Sequence, residues 1–197
     1  MADKTRCTWC LSYGDFINYH DEEWGVPLHN DRHLFEMLIL EGAQAGLNWL
    51  TVLKKRAGYR AAFDNFEAEK IVRYDEQKLA SLVQNPNIIR HKLKINSVVK
   101  NAKGFLKIQE EFGSFNQFIW QFVDGQPIIN NFSDRASVPA RTAVSDAMSK
   151  ALKKRGFSFV GSTICYAYMQ GVGMVNDHTV DCYRWQEVQI KSQSPDI

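Results

Sequence analysis
The chain has 197 residues, with 24 Lys and Arg against 22 Asp and Glu, a net charge of +2 and 45 % hydrophobic residues. A chain of this length buries an ordinary core without a staple, no apolar run reaches the roughly twenty residues of a membrane span, and the near balance of charge by itself says little about nucleic acid. Four cysteines are too few for a disulfide scaffold at this length, and no signal peptide precedes them, so the expected setting is a reducing cytoplasm; no long unpaired heptad or exposed strand pattern asks for a partner, so the expected state is a monomer.

Apolar residues recur at spacings of three and four and almost no stretch alternates, which predicts an all-α fold. The first segment is rich in rings and thiols: Cys7, Trp9, Cys10, Phe16, Tyr19, His20 and Trp24. Asn30-Asp31 caps a helix carrying Leu34, Met37, Leu38 and Glu41, ended by Gly46, and Asn48 caps the next, carrying Leu50, Leu53 and Ala57. A short amphipathic pair follows through Ile71 and Leu79-Leu82-Val83, and Asn85-Pro86-Asn87 breaks the chain. A long helix is predicted from Ile88 to Ile108 and another over Phe115 to Phe122, stopped by Gly125-Gln126-Pro127. Asn130 to Arg141 reads as a loop, Ser145 to Arg155 as a helix, and the polar tail after Cys182 as frayed. No linker cuts the chain, so residues 1–185 are expected to be one domain and 186–197 a polar tail.

Three constellations carry chemistry. Cys7 with His20, and His178 with Cys182, are metal half-sites at opposite ends of the chain; a His and a Cys four apart can share one face of a helical turn, and structural zinc takes four N/S ligands. Cys7-x-x-Cys10 is a competing pair, either a chelate or a redox dithiol. The second is Lys153-Lys154-Arg155-Gly156-Phe157-Ser158-Phe159-Val160-Gly161-Ser162-Thr163, which reads as a helix-hairpin-helix. Glycines around its turn admit close backbone approach, and the second helix presents free N–H groups to a phosphate. Basic residues also cluster at Lys54-Lys55-Arg56 and at Arg90-His91-Lys92 with Lys94. The third is an aromatic set, Trp9, Phe16, Tyr19, Trp24 and Trp49, around Glu41. A carboxylate late in an apolar helix is unusual, and inside an aromatic cage it can accept from a base's exocyclic amine while rings stack on its faces.

Arg6-Cys7-x-Trp9, Tyr19-His20-Asp21-x-x-Trp24-Gly25, Leu40-Glu41-x-x-x-Ala45-Gly46-Leu47-x-Trp49, Leu152-Lys153-Lys154-x-Gly156-Phe157, Phe159-Val160-Gly161 and Val175-Asn176-Asp177-His178 occur in that order. Together they resemble the DNA-3-methyladenine glycosylase I family of bacteria, within the helix-hairpin-helix glycosylase superfamily, from Cys7 to Cys182. The resemblance implies two helical subdomains with the termini joined by one structural zinc on Cys7, His20, His178 and Cys182. It implies base-binding by Trp9, Phe16, Tyr19, Trp24, Glu41 and Trp49, with Glu41 as the catalytic-site carboxylate, and DNA contacts from Gly46, Leu47, Phe157, Gly161, Ser162 and Thr163. Phe16 stands where relatives often have tyrosine. Asn176 aligns with the superfamily's usual catalytic aspartate, and Asp177, on a helix, would point elsewhere.

The activity so implied is hydrolysis of the N-glycosidic bond of N3-methyladenine in double-stranded alkylated DNA, with no redox or nucleotide cofactor and no membrane. From Gly161 to His178 there is no lysine to form a Schiff base, so a strand-cleaving step is not expected. Two other classes remain in view: a zinc-stapled DNA-binding module without activity, which would bind DNA and release no base, and a thiol enzyme on Cys7 and Cys10, which would hold no metal.

Overall fold
The computed structural model describes residues 4–193, and helices dominate it. Helix α1 spans Gly14–Glu22 and α2 spans Asp31–Gln44. The Asn30 side chain caps α2 by accepting from the His33 N–H at 3.1 Å. Every residue of α2 from Leu34 to Ala43 is buried. A helix covered on all sides is a central one, and α2 packs against α3 (Trp49–Leu53), α7 (Lys92–Phe112), α8 (Phe115–Trp120) and α10 (Ser162–Gly171).

The helix expected from Asn48 through Ala57 is two, α3 and α4 (Arg56–Ala62). Close packing explains the bend: a Cβ on Gly58 would stand 2.2 Å from the Asn87 carbonyl oxygen, so α4 turns to lie on the Asn85–Asn87 break. Helices α5 (Ala68–Ile71) and α6 (Glu76–Gln84) follow as predicted. α7 begins at Lys92 rather than Ile88, because His91 supplies the cap, its Nδ1 accepting from the Lys94 N–H at 3.3 Å. α8 stops at Trp120 and a 3-10 turn, Gln121–Val123, completes the predicted segment. Helix α9 (Ala143–Lys154) starts two residues before Ser145, since Thr142 and Ser145 cap each other reciprocally.

Two features were not expected. Ile128–Ile129 (β1) pairs in parallel with Val175–Asn176 (β2), tying the segment after α8 to the segment after α10. The chain after Cys182 forms α11, Tyr183–Gln193, with Val188 buried, so the expected fraying is corrected as far as Gln193. The boundary drawn at 186 falls inside that helix, and residues 194–197 of the tail lie outside the described residues. The Tyr183 N–H donates to the Thr5 carbonyl at 3.0 Å, bringing the two ends of the chain together. Among the described residues no helix is long and apolar enough to cross a membrane.

Candidate active site
The metal half-sites meet. Cys7 precedes a 3-10 turn (Thr8–Cys10), His20 lies at the end of α1, and His178 and Cys182 occupy the connection from β2 to α11. That connection is a turn, with the Cys182 N–H donating to the Thr179 carbonyl, and not the helical turn that the four-residue spacing suggests. One ligand atom from each of the four residues lies within 4.8 Å of all the others, and all four are buried. The group is able to bind a metal ion. His20 Nε2 is 3.2 Å from His178 Nδ1, and the Cys182 sulfur is 3.4 Å and 3.6 Å from the same two nitrogens. The outer nitrogens face acceptors: His20 Nδ1–H donates to Asp21 at 2.8 Å and His178 Nε2–H to the Trp24 carbonyl at 3.0 Å. Each ring is thereby fixed with its other nitrogen turned inward. Burial pushes the Asp21 carboxyl up, but hydrogen bonds from Arg6, His20 and Tyr183 outweigh it and hold it at about 2. Cys10 stands outside the group, its thiol donating to the Cys7 carbonyl.

Against this cluster sits a cavity of about 580 Å³. Trp24 stands between His178 and Trp9, 4.7 Å from the His178 ring on one side and 5.0 Å from Trp9 on the other, while Cys7 itself borders the cavity. Trp9, Phe16, Tyr19, Trp24, Glu41 and Trp49 all line the cavity, so the expected aromatic set converges on one space. The Trp9 and Phe16 rings meet edge to face at 5.8 Å, and Tyr19 and Trp49 are 5.4 Å apart. The indole N–H groups of Trp9 and Trp49 are buried without a partner among the described residues.

Helix α2 buries two glutamates, and their treatment differs. Glu36 is held by Arg56 and Arg60 at 2.6 and 2.8 Å. Glu41, also 3 % exposed, has no such cation, and its Oε2 finds no hydrogen-bond partner among the described residues. Burial pushes its carboxyl from 4.5 up to about 8. A buried polar atom left unpaired costs roughly 1–3 kcal/mol and asks for an explanation, which a ligand supplies. Burial, followed by the Glu41 charge, also pushes the Tyr19 phenol up, which keeps it a neutral donor. Gly171 packs behind both groups, on the side of a separate hollow lined by Met37 and Arg56: a Cβ there would lie 3.0 Å from the Tyr19 hydroxyl and 3.5 Å from Glu41 Oε1.

The remaining predicted residues lie at the rim. Gly46 has φ +77° and turns the chain at the end of α2, leaving Leu47 44 % exposed. The Lys94 ammonium, buried at the start of α7, donates to the Ala43 and Ala45 carbonyls at 2.8 and 2.6 Å and so braces that turn. One member of the expected basic cluster is therefore a strut. In the hairpin, α9 leads through Gly156 (φ +86°) to Gly161, which caps α10 without a side-chain bond, and a Cβ at Gly161 would meet nothing within 4 Å. The Ser162 hydroxyl is bonded to Ser145 at 2.8 Å, whereas Thr163 is exposed and lines the cavity. Phe157 must be withdrawn from the DNA-contacting set. It is 4 % exposed, and its ring packs on Gly104, where a Cβ would stand 2.5 Å from it, and on Phe115.

A model of the methyladenine glycosylase family matches residues 9–185. The chain belongs to the methyladenine glycosylase family. It is 49 % identical over 178 residues to a DNA-3-methyladenine glycosylase of Haemophilus influenzae, covering 90 % of this chain and 96 % of that one. A crystal structure of a 3-methyladenine DNA glycosylase I superposes with a TM-score of 0.89 at 50 % identity, over 91 % of this chain and 98 % of the other. A variant of another family member, solved in complex with 3-methyladenine, gives a TM-score of 0.88 at 32 % identity over 97 % and 99 %. The family relation joins the fold and the pocket to a glycosylase class.

Sequence reasoning misplaced one carboxylate of the cavity. Asp177 is not on a helix; it follows β2 and lines the cavity, while the aligned Asn176 turns away, bonded to the Trp185 carbonyl and to the His178 N–H. Asp177 lies just past β2, a two-residue strand too short to show a pattern in the sequence.

Proposed function
We propose that the protein is a base-excision repair glycosylase that hydrolyses the N-glycosidic bond of N3-methyladenine in double-stranded alkylated DNA, releasing the free base and leaving an abasic site. The observation that carries this is the buried, unpartnered Glu41 inside an aromatic cavity of about 580 Å³, in a chain of the methyladenine glycosylase family. Adenine shows a donor at its N6 amine beside an acceptor at N7. A neutral Glu41 carboxyl carries the complementary acceptor and donor, and Trp9, Phe16, Tyr19, Trp24 and Trp49 supply flat apolar faces and N–H groups around it.

In this reading residues 1–185 act as one catalytic unit of two packed helical subdomains. Leu47, presented by Gly46, fills the stack vacated by the extruded nucleotide, and the hairpin with Gly161, Ser162 and Thr163 holds phosphates. The N3-methylated base carries positive charge, so cleavage of C1′–N9 sends the bonding pair onto the base, which leaves neutral. Water then bonds C1′ and gives up a proton to solvent. Positioning and exclusion of misfits accomplish most of the work, because the bond is already weak.

The ion we assign to Cys7, His20, His178 and Cys182 is a structural zinc, one per chain. Tetrahedral zinc at ordinary bond lengths sets its ligand atoms about 3.4 Å apart for two nitrogens and about 3.6 Å for nitrogen and sulfur. The spacings of 3.2, 3.4 and 3.6 Å agree with that donor set. When bound, it would cross-link the ends of the chain and offer no open position to water. The enzyme works as a cytoplasmic monomer on DNA. Chromatography of the supernatant from methylated duplex DNA tests the activity: free 3-methyladenine should accumulate, and a protein that binds the DNA without releasing base would be the non-enzymatic module instead.

A further inference from the structure
Five residues that line the cavity are also exposed, Thr8, Asn48, Arg135, Ala140 and Thr163, and these mark its mouth. Asn48 follows Leu47, and Thr163 lies in the first turn of α10, so the mouth opens between the parts already read as facing DNA. Arg135 belongs to neither. Among the described residues it is the one cation that lines the cavity, and its guanidinium has no hydrogen bond or ion pair among them. It also stands outside every basic cluster of the sequence.

The loop that carries Arg135 is anchored at both ends. At its start the Asn130 amide donates to Asp177 at 2.7 Å, and the Phe132 carbonyl accepts from the Val180 N–H at 3.0 Å. At its end Thr142 caps α9, whose Ser145 hydroxyl is bonded to Ser162 of the hairpin at 2.8 Å. Between these anchors Asp134 caps a 3-10 turn, Arg135–Ser137, accepting from the Ser137 N–H at 3.0 Å and from the Ser133 and Ser137 hydroxyls at 3.1 and 3.2 Å. That carboxylate is thus engaged along the loop and leaves its neighbour Arg135 unpaired. The loop's other arginine, Arg141, reaches Asp146 at 3.9 Å. Arg135 is therefore a free cation on a fixed support, at the mouth of the cavity, on a loop that runs from the Asp177 wall to the hairpin.

Charge decides what such a group takes. The N3-methylated base is itself a cation, so a guanidinium repels it and favours the anionic part of the nucleotide. An extruded nucleotide stays joined to its strand by two phosphates, and desolvating either inside an aromatic cavity is costly, so both remain at the mouth. The N-terminus of α10, which Gly161 leaves without a side-chain cap, suits one of them. A guanidinium fork, which matches two phosphate oxygens at once, suits the other. We infer that Arg135 grips one of the two phosphates flanking the extruded nucleotide while the hairpin holds the other, so that the nucleotide is clamped on both sides of its sugar. The inference rests on the proposed glycosylase reading and on the place of the hairpin in it. Because the loop is anchored beforehand, little ordering opposes the grip.

The test uses a duplex with a tetrahydrofuran abasic analogue and replaces each flanking phosphate in turn by a neutral methylphosphonate. Binding is measured for the wild type, Arg135→Gln and Arg135→Lys. The wild type should lose about tenfold at each of the two positions. Arg135→Gln should bind the unmodified duplex about tenfold less tightly, become indifferent to one replacement and stay sensitive to the other. Its slope of log affinity against log salt should be smaller by about one, which a merely structural role would not produce. Arg135→Lys should regain most of the affinity and the slope, and free 3-methyladenine should bind all three proteins alike. An Arg135→Gln protein that keeps the wild-type slope and responds to both replacements as the wild type does would overturn the inference. Weakened free-base binding would also overturn it, by moving Arg135 into the base pocket. A wild type that neither binds the abasic duplex nor releases 3-methyladenine would instead remove the proposed function, and the clamp with it.

Discussion
Glu41 concentrates the argument at the level of single residues. Its folded value of about 8 lies above its ordinary 4.5, so the folded state holds this proton more tightly than the unfolded one. Stability from this group is therefore fully present below about 4.5 and is lost as pH rises through 8, at about 1.4 kcal/mol per pKa unit of difference. Glu41→Gln should abolish that slope, leaving a variant more stable than the wild type at pH 8.5 and similar at pH 4.5; equal melting-temperature profiles across that range would show that burial does not shift the group. Free-base affinity should move with the same proton: binding of 3-methyladenine, followed by tryptophan fluorescence, should weaken in the wild type above pH 8 and stay level in Glu41→Gln. The sequence made Glu41 conspicuous because a charge followed an apolar run, and the aromatic partners were legible with it. Its protonation was not, since it depends on Glu36 taking both nearby arginines and leaving Glu41 none, a matter of which way each side of α2 faces.

Among the elements, the turn after α2 is where structure and task meet. Lys94 from the first turn of α7 satisfies two carbonyls of that turn, as a cation suits a helix C-terminus. Lys94→Met would leave those carbonyls unpaired, and a loss of about 1–3 kcal/mol in denaturant unfolding is expected. Leu47→Ala separates extrusion from recognition: excision from duplex DNA should fall about tenfold, the scale of a lost stacking wedge, while free-base binding is unchanged. Parallel losses in both would put Leu47 in the base pocket instead. Most helices were readable from spacing, and Asn30 and Asn48 announce their own helix starts, while Asp75 and Ser114 cap α6 and α8 in the structure. The misplaced starts and breaks have tertiary causes. His91 caps α7, which starts at Lys92 rather than at Ile88, Gly58 must fit against Asn87, and the β1–β2 pair joins two dipeptides too short to show a pattern.

For the whole molecule, the ends of the chain close on the Cys7, His20, His178 and Cys182 group, beside the wall of the cavity that Trp24 forms. Purified protein should contain about one zinc per chain, and Cys182→Ala should lose both the metal and several degrees of melting temperature, whereas Cys10→Ala, outside the group, should keep the metal. Reversal of that pair would mean that Cys7 and Cys10 bind together. The central claim, that the unpaired Glu41 in the aromatic cavity is the recognition site for the excised base, is tested most directly by a crystal structure of the protein with free 3-methyladenine. The account predicts the purine within hydrogen-bonding distance of Glu41 Oε2, with the Trp9 and Trp49 indoles around it. Base bound elsewhere, with Glu41 Oε2 still unpartnered, would contradict it.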